Sequence, residues 1–294
     1  MRMTIWFFSG SGMMLRTVAF VFSCFLFSVV SAFAQDAGRP VSQCQAIAQK
    51  LPQVRFASFD PSDLWRVQAK TQMSLAQKEE VKITFVGHST YVIETPSGVG
   101  IATDYSGVYK PHRMPDVVTM NRAHSTHYTL TPEPEIGHVL HGWGEVPGEK
   151  AEHRLMVEDV YIRNVVSDIR NWGGGIEENG NSIFIFEVAG LCIGHLGHLH
   201  FELNEAQYTE IGRLDILMVP VDGGLTMGAD SMSRVVQRLR SALILPMHRF
   251  GPPLESFLGM FDGKFDISYA REQTLRVSMR SLPKKPTIVV PQGL

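Results

Sequence analysis

The sequence predicts an α/β protein in which two packed β-sheets are flanked by helices, a four-layer αββα sandwich. Three observations lead there. Between Val81 and Met120, β-like runs follow one another with turn residues and no helix between them, the pattern of an antiparallel or mixed sheet. From Asn204 onward, strand and helix patterns alternate, as they do where helices pack on a sheet. Six of the histidines, finally, come directly after strand signals, where a rigid sheet aims loop side chains at a shared point.

Taken in order, the chain begins with a stretch unlike the rest. Arg2 and Arg16 are the only charged residues of the first sixteen, an apolar run follows from Thr17 to Val30, and Ser31-Ala-Phe-Ala34 places small residues at a cleavage-like site. A basic start, a short apolar run and an A-x-A-like end make a secretory signal, and the run is short for a bilayer span of about 20 residues. The expected organisation is therefore a signal peptide over 1–34, a lead-in over 35–80 with a short helix near Val41 to Lys50, and the main domain over 81–294. Export to the periplasm or beyond follows, with no stable membrane span after cleavage.

Within the main domain, Val81–Val86, Thr90–Glu94, Val99–Thr103 and Val117–Met120 read as strands, with Thr95-Pro-Ser-Gly98 as a turn. Asp159–Val166 is a further strand, while Trp172–Gly175 and Asn179–Ser182 read as loop. Ile183–Val188 and Leu191–Ile193 form a hairpin around Ala189-Gly190. Asn204–Ile211 and Ser231–Ser241 are helical, and Ile216–Pro220 and Ala242–Pro246 are strands. No internal repeat or low-complexity tract is present.

The 294 residues carry a formal net charge of −2 and are 44% hydrophobic. That composition excludes a disordered chain and supplies no broad positive field for nucleic acid, so the expected partner is a small molecule. Two cysteines, Cys44 and Cys192, follow the expected cleavage site. They could pair in an oxidising compartment, but Leu191-Cys-Ile193 reads as an apolar strand and Cys192 as a buried thiol.

The chemistry is in the histidines. His124/His127, His195/His198/His200 and His248 each follow a strand signal. Three imidazoles hold a tetrahedral divalent ion and leave one position for water, whose pKa the ion lowers towards about 7. His112 and His153 read as surface residues, and His138 and His141 as structural or substrate-facing loop residues. The segment His195-Leu-Gly-His-Leu-His200 is hard to explain by packing alone.

Specific segments then resemble a known family. Gly87-His-Ser-Thr-Tyr-Val-Ile-Glu94 followed by Asp104, the histidine-rich segment ending at His200, Asp215–Gly224 and Leu245-Pro-Met-His248 resemble, in order, motifs of the metallo-β-lactamase superfamily. The nearest likeness is to its lactonase-like and phosphodiesterase-like hydrolases. The resemblance implies the αββα fold and a hydrolase using a metal-activated water on an ester, lactone, amide or phosphodiester.

The family's H-x-H-x-D-H signature departs here to Arg122-Ala-His124-Ser-Thr126-His127, and its bridging carboxylate corresponds to His198. Because an imidazole cannot clamp two ions about 3.5–4 Å apart, the mapping implies one zinc or similar ion per chain. Its ligands would be His127, His198 and His248, with His124 as a fourth ligand or outer partner and His195 or His200 as further candidates. By the same likeness His88 and Asp104 are structural. Asp168 and Asp222 are the candidate bases, and Arg122, if it points inwards, is an anion clamp for the substrate. A non-catalytic exported metal- or ligand-binding domain is the alternative, and oligomeric state is left open.

Overall fold

The computed structural model describes residues 41–48, 79–171 and 173–294. The expected signal peptide, most of the lead-in and Trp172 lie outside the described residues. Fourteen strands are present among them: β1 (Val81–Gly87), β2 (Thr90–Glu94), β3 (Gly100–Ala102), β4 (Val117–Met120), β5 (His138–His141), β6 (Arg154–Val157), β7 (Val160–Arg170), β8 (Ile176–Val188), β9 (Leu191–His195), β10 (Ile216–Pro220), β11 (Leu243–Met247), β12 (Asp266–Tyr269), β13 (Thr274–Val277) and β14 (Thr287–Val290). The helices are α1 (Gln43–Ala48), α2 (Glu205–Ile211), α3 (Ala229–Leu239) and α4 (Leu254–Leu258).

The strands form two mixed sheets, one six-stranded in the order β13-β1-β2-β3-β4-β5 and one eight-stranded in the order β12-β14-β11-β10-β9-β8-β7-β6. Their inner faces meet in a shared core. Ile83, Phe85, Ile93 and Ile101 of the first sheet pack with Phe184, Phe186, Ile193, Met218 and Leu245 of the second. The alternation of β1 is visible in its burial, with Val81, Ile83 and Phe85 inward and Lys82, Thr84 and Val86 only half covered. β10 and β11 are buried along their whole lengths, as parallel central strands covered on both faces must be.

On the outer face of the eight-stranded sheet, Met232, Val235 and Val236 of α3, Ile211 of α2 and Phe257 of α4 pack against Ile183, Ile185, Leu217 and Ile244. The six-stranded sheet is covered differently. Among the described residues no helix lies on it, and the loop residues Tyr105, Ile136, Tyr128 and Trp143 pack over Val118 and Met120.

Local chemistry explains the boundaries. Asn204 caps α2, accepting from the Gln207 backbone while the Gln207 side chain accepts from the Asn204 N–H, a complete capping box. The turn between β8 and β9 has positive φ at both Ala189 and Gly190, as a two-residue hairpin of mirror-image type requires. Gly98 donates to the Thr95 carbonyl at 2.9 Å, closing the turn expected there.

Three expectations are corrected. Asn179–Ser182 is not loop but the middle of β8, because Asn181 and Ser182 point their polar groups into buried hydrogen bonds where a strand signal would need apolar ones. His138 and His141 belong to β5, paired in parallel with β4. And Cys192 is not a free thiol, since it forms a disulfide with Cys44. The same end of α1 is held by Glu187, which accepts from Ser42 Oγ at 2.5 Å and Gln43 N at 2.8 Å and pairs with the buried Arg163 at 2.8 Å. Residues 41–48 are thereby fastened to β8 and β9.

Candidate metal centre

The site lies where β1, β3, β4, β9, β10 and β11 end. His88 occupies the tight turn between β1 and β2, Asp104 follows β3, His124 and His127 follow β4, His198 and His200 follow β9, Asp222 follows β10 and His248 follows β11. Three of these residues, His88, Asp104 and His248, have left-handed backbones with φ of 52°, 43° and 53°. Non-glycine residues held there cost on the order of 1 kcal/mol or more each, and such strain collects at functional sites. Gly87 turns the chain into the His88 loop with φ of 146°, and a Cβ there would fall 2.4 Å from the Tyr109 ring. The backbone N–H of His248 donates to the His88 carbonyl at 2.7 Å, which ties the two histidine loops together.

His88, His124, His127 and His248 converge so that one ring nitrogen of each lies within 4.8 Å of the others. Two contacts define the shape: His88 Nε2 is 3.3 Å from His127 Nε2, and His124 Nε2 is 3.4 Å from His248 Nε2. A tetrahedral ion with bonds of about 2.0–2.1 Å to nitrogen has ligand–ligand edges of about 3.3–3.4 Å. Two of the six edges have that length, and the four imidazoles together could hold one divalent ion of the zinc class.

The outer partners agree. His127 donates from Nδ1 to Asp104 Oδ2 at 2.6 Å, in full burial, and Asn121 donates to the other Asp104 oxygen at 2.8 Å. His248 Nδ1 lies 3.0 Å from Asp222 Oδ2, although without the alignment of a good hydrogen bond. Carboxylates behind imidazoles fix the tautomer that leaves Nε2 free for a metal. Burial by itself would raise the pKa of both carboxylates. For Asp104 the adjacent His195 and His127 and the bonds from His127 and Asn121 outweigh it, and for Asp222 the close approach of His248 and the bonds from Thr226 and two backbone N–H groups do so, so both stay ionised.

The imidazoles move the other way. Burial first, then the neighbouring imidazoles, pushes His88 down to about 3 and His124 to about 4, and burial lowers His127 as well, against the opposing pull of Asp104. They are neutral at pH 7, the form that binds a cation.

The other sequence candidates sit as follows. Asp222 is not a free base: its oxygens accept from the Gly224 and Thr226 N–H groups, each at 2.9 Å, and from the Thr226 hydroxyl at 2.6 Å, beside His248. Asp168 is outside the cluster. Its Oδ1 accepts from Asn179 N at 2.9 Å across the irregularity in the β7–β8 pairing, so the bulge uses it.

Arg122 is exposed, paired with Glu177 at 3.2 Å and near the Trp143 ring. An inward anion clamp is not there. The guanidinium beside the cluster is instead that of Arg170, whose Nη2 donates to the Gly224, Leu225 and Thr226 carbonyls.

His195 is fully buried with both nitrogens used, Nδ1 accepting from Gly197 N and Nε2 donating to the Ser89 carbonyl. That leaves it no lone pair for a metal. His198 lies beside the cluster, its ring 4.7–5.0 Å from those of His127, His248 and His124, and His200 backs it at 2.7 Å. His124, His198, His200, Arg170, Ala123 and Leu225 line an open cleft of about 670 Å³.

Sequence reasoning placed His88 outside the ligand set, and passed over Asn121, Asn181 and Arg170. The one local sign for His88 was the Gly-His step inside a hairpin, since the left-handed backbone that turns its ring inward is not written in the alternation of β1 and β2.

The family described as the beta-lactamase superfamily domain matches residues 82–248, more than half of the chain. The protein belongs to this family, the metallo-β-lactamase superfamily, and has its fold of two mixed sheets. A UPF0173 metal-dependent hydrolase of Thermococcus kodakarensis is 24% identical over 200 residues, covering 57% of this chain and 84% of the relative. A second, of Pyrococcus abyssi, is 24% identical over 200 residues, covering 60% and 88%. Among solved structures, a Thermotoga maritima protein described as a candidate zinc-dependent hydrolase of the same superfamily superimposes with a TM-score of 0.51. It is 28% identical, and the match covers 72% of this chain and 98% of that one.

Proposed function

We propose that the protein is an exported metal-dependent hydrolase that cleaves an ester, lactone, amide or phosphodiester in a small molecule, using one zinc or similar divalent ion per chain. The observation that carries it is the pair of Nε2–Nε2 distances, 3.3 and 3.4 Å, in a family whose curated relatives are named metal-dependent hydrolases. The expected ligand set of His127, His198 and His248 with His124 becomes His88, His124, His127 and His248. A bound ion of this kind acts as a Lewis acid and generates hydroxide near neutral pH.

The chain's own residues do the rest. Asp104 and Asp222 orient His127 and His248, and the cleft, about 670 Å³ in volume, is of a size for a small-molecule substrate. The Arg170 guanidinium, donating to the backbone carbonyls of residues 224–226, holds the cleft wall in place. The Cys44–Cys192 disulfide supports export, because such bonds persist in oxidising compartments.

A second reading is favoured by one observation: four imidazoles can close a tetrahedral ion entirely, the arrangement of a structural site. The two are separated by elemental analysis of the purified chain together with a panel of chromogenic esters, lactones and phosphodiesters, each assayed with and without chelator. One equivalent of metal and chelator-sensitive turnover are expected. Two equivalents would overturn the single-ion site, and one equivalent with no turnover on any member would favour the structural reading.

A further inference from the structure

His198 is 3% exposed, and its Nε2 is buried with no hydrogen-bond partner in the protein. An orphaned polar atom in such a place needs an explanation. Its proton can be traced from two residues away.

The backbone N–H of Arg170 can only donate, and it points at His200 Nδ1 from 2.5 Å. His200 Nδ1 is therefore an acceptor, which places the His200 proton on Nε2. That Nε2 lies 2.7 Å from His198 Nδ1, so it donates there, and His198 Nδ1 becomes an acceptor in turn. One position remains for the His198 proton: Nε2, the orphaned atom, among the rings of His124, His127 and His248. The His198 backbone is fixed as well, because its N–H donates to Asn181 Oδ1 at 2.7 Å.

A nitrogen that carries a proton has no lone pair for a metal. Reversing the chain to free it would set a His200 Nδ1–H against the Arg170 N–H, two donors 2.5 Å apart. The four converging imidazoles do not include His198, in agreement with this polarity.

We propose that His198 is not a ligand but a proton-bearing donor, held in its Nε2–H tautomer by the Arg170–His200 relay and serving an oxygen of water or substrate bound among the imidazoles. This rests on the metal-dependent reading above. The position that the family likeness assigns to a bridging carboxylate acceptor thus carries a donor. A donor placed where negative charge develops strengthens in the transition state. His200 and the Arg170 backbone are positioning groups, since they act through His198.

The test is nitrogen-15 NMR of histidine-labelled protein, first metal-free and then loaded with cadmium-113. In both states His198 is expected to show a protonated Nε2 and an unprotonated Nδ1. In the loaded state, cadmium couplings are expected at His88, His124, His127 and His248 and none at His198. A proton on Nδ1, or a cadmium coupling to His198, overturns the proposal.

A His198→Gln variant keeps a side-chain donor and is expected to retain one equivalent of metal. His127→Ala should lose more than the roughly 10–100-fold in affinity that removing an outer partner costs. If the wild-type chain takes up no metal at all, the hydrolase reading fails, while the tautomer is still decided by the metal-free spectrum.

Discussion

At the scale of single residues, the site is governed by which atom of each imidazole holds its proton. Asp104 is the plainest case: buried, ionised and accepting from both His127 Nδ1 and Asn121 Nδ2. Asp104→Asn preserves the size and tolerates the left-handed backbone at φ 43°. It brings an amide with two donors into a place where both oxygens accept. One neighbour must then reverse, and reversal at His127 moves its proton to Nε2 and blocks the metal. Metal affinity is expected to fall about 10–100-fold, measured by competition with a chromogenic chelator. An unchanged affinity would show that Asp104 does not set the His127 tautomer.

At the scale of elements, the ends of β4 and β9 and the middle of β8 are locked together by amide side chains rather than by apolar packing. Asn121 and Asn181 are buried side by side next to Gly197, and a Cβ at Gly197 would fall 2.3 Å from an atom of each. Gly197 also has a φ of +61°, which only glycine adopts without cost. Gly197→Ala therefore adds overpacking and backbone strain, together on the order of 2–4 kcal/mol. For a domain of this size that lowers Tm by roughly 5–15 °C, read by calorimetry. A shift of a degree or less would mean that the Asn pair can move aside. This lock was invisible in the chain because Asn179–Ser182 lacks the apolar alternation that marks a strand.

At the scale of the whole molecule, Cys44 and Cys192 are 148 residues apart. Closing so long a loop restrains the unfolded chain, by up to about 5 kcal/mol in the chain-entropy account. The Glu187 contacts to Ser42 and Gln43 stand apart from it. Reduction, or Cys44→Ser with Cys192→Ser, is expected to lower stability by about 2–5 kcal/mol and to leave metal content unchanged, since neither cysteine touches the histidines. Denaturant unfolding with and without reductant measures it. Loss of metal on reduction would show that the fastened segment supports the site.

The two-sheet α/β fold and the gathering of histidines after strand ends were legible in the sequence. Those features follow from local periodicity and turn chemistry, which neighbours in the chain write directly. Asp104 behind the cluster and His127 and His248 within it were also legible, because their motifs are contiguous. It took the folded chain to bring His88 into the cluster, to turn Arg122 out to Glu177 and to set His200 Nε2 against His198 Nδ1 at 2.7 Å. Each depends on a backbone angle or on a donor brought from tens of residues away. The chemistry of the site therefore depends less on how many histidines the chain carries than on where their protons are held.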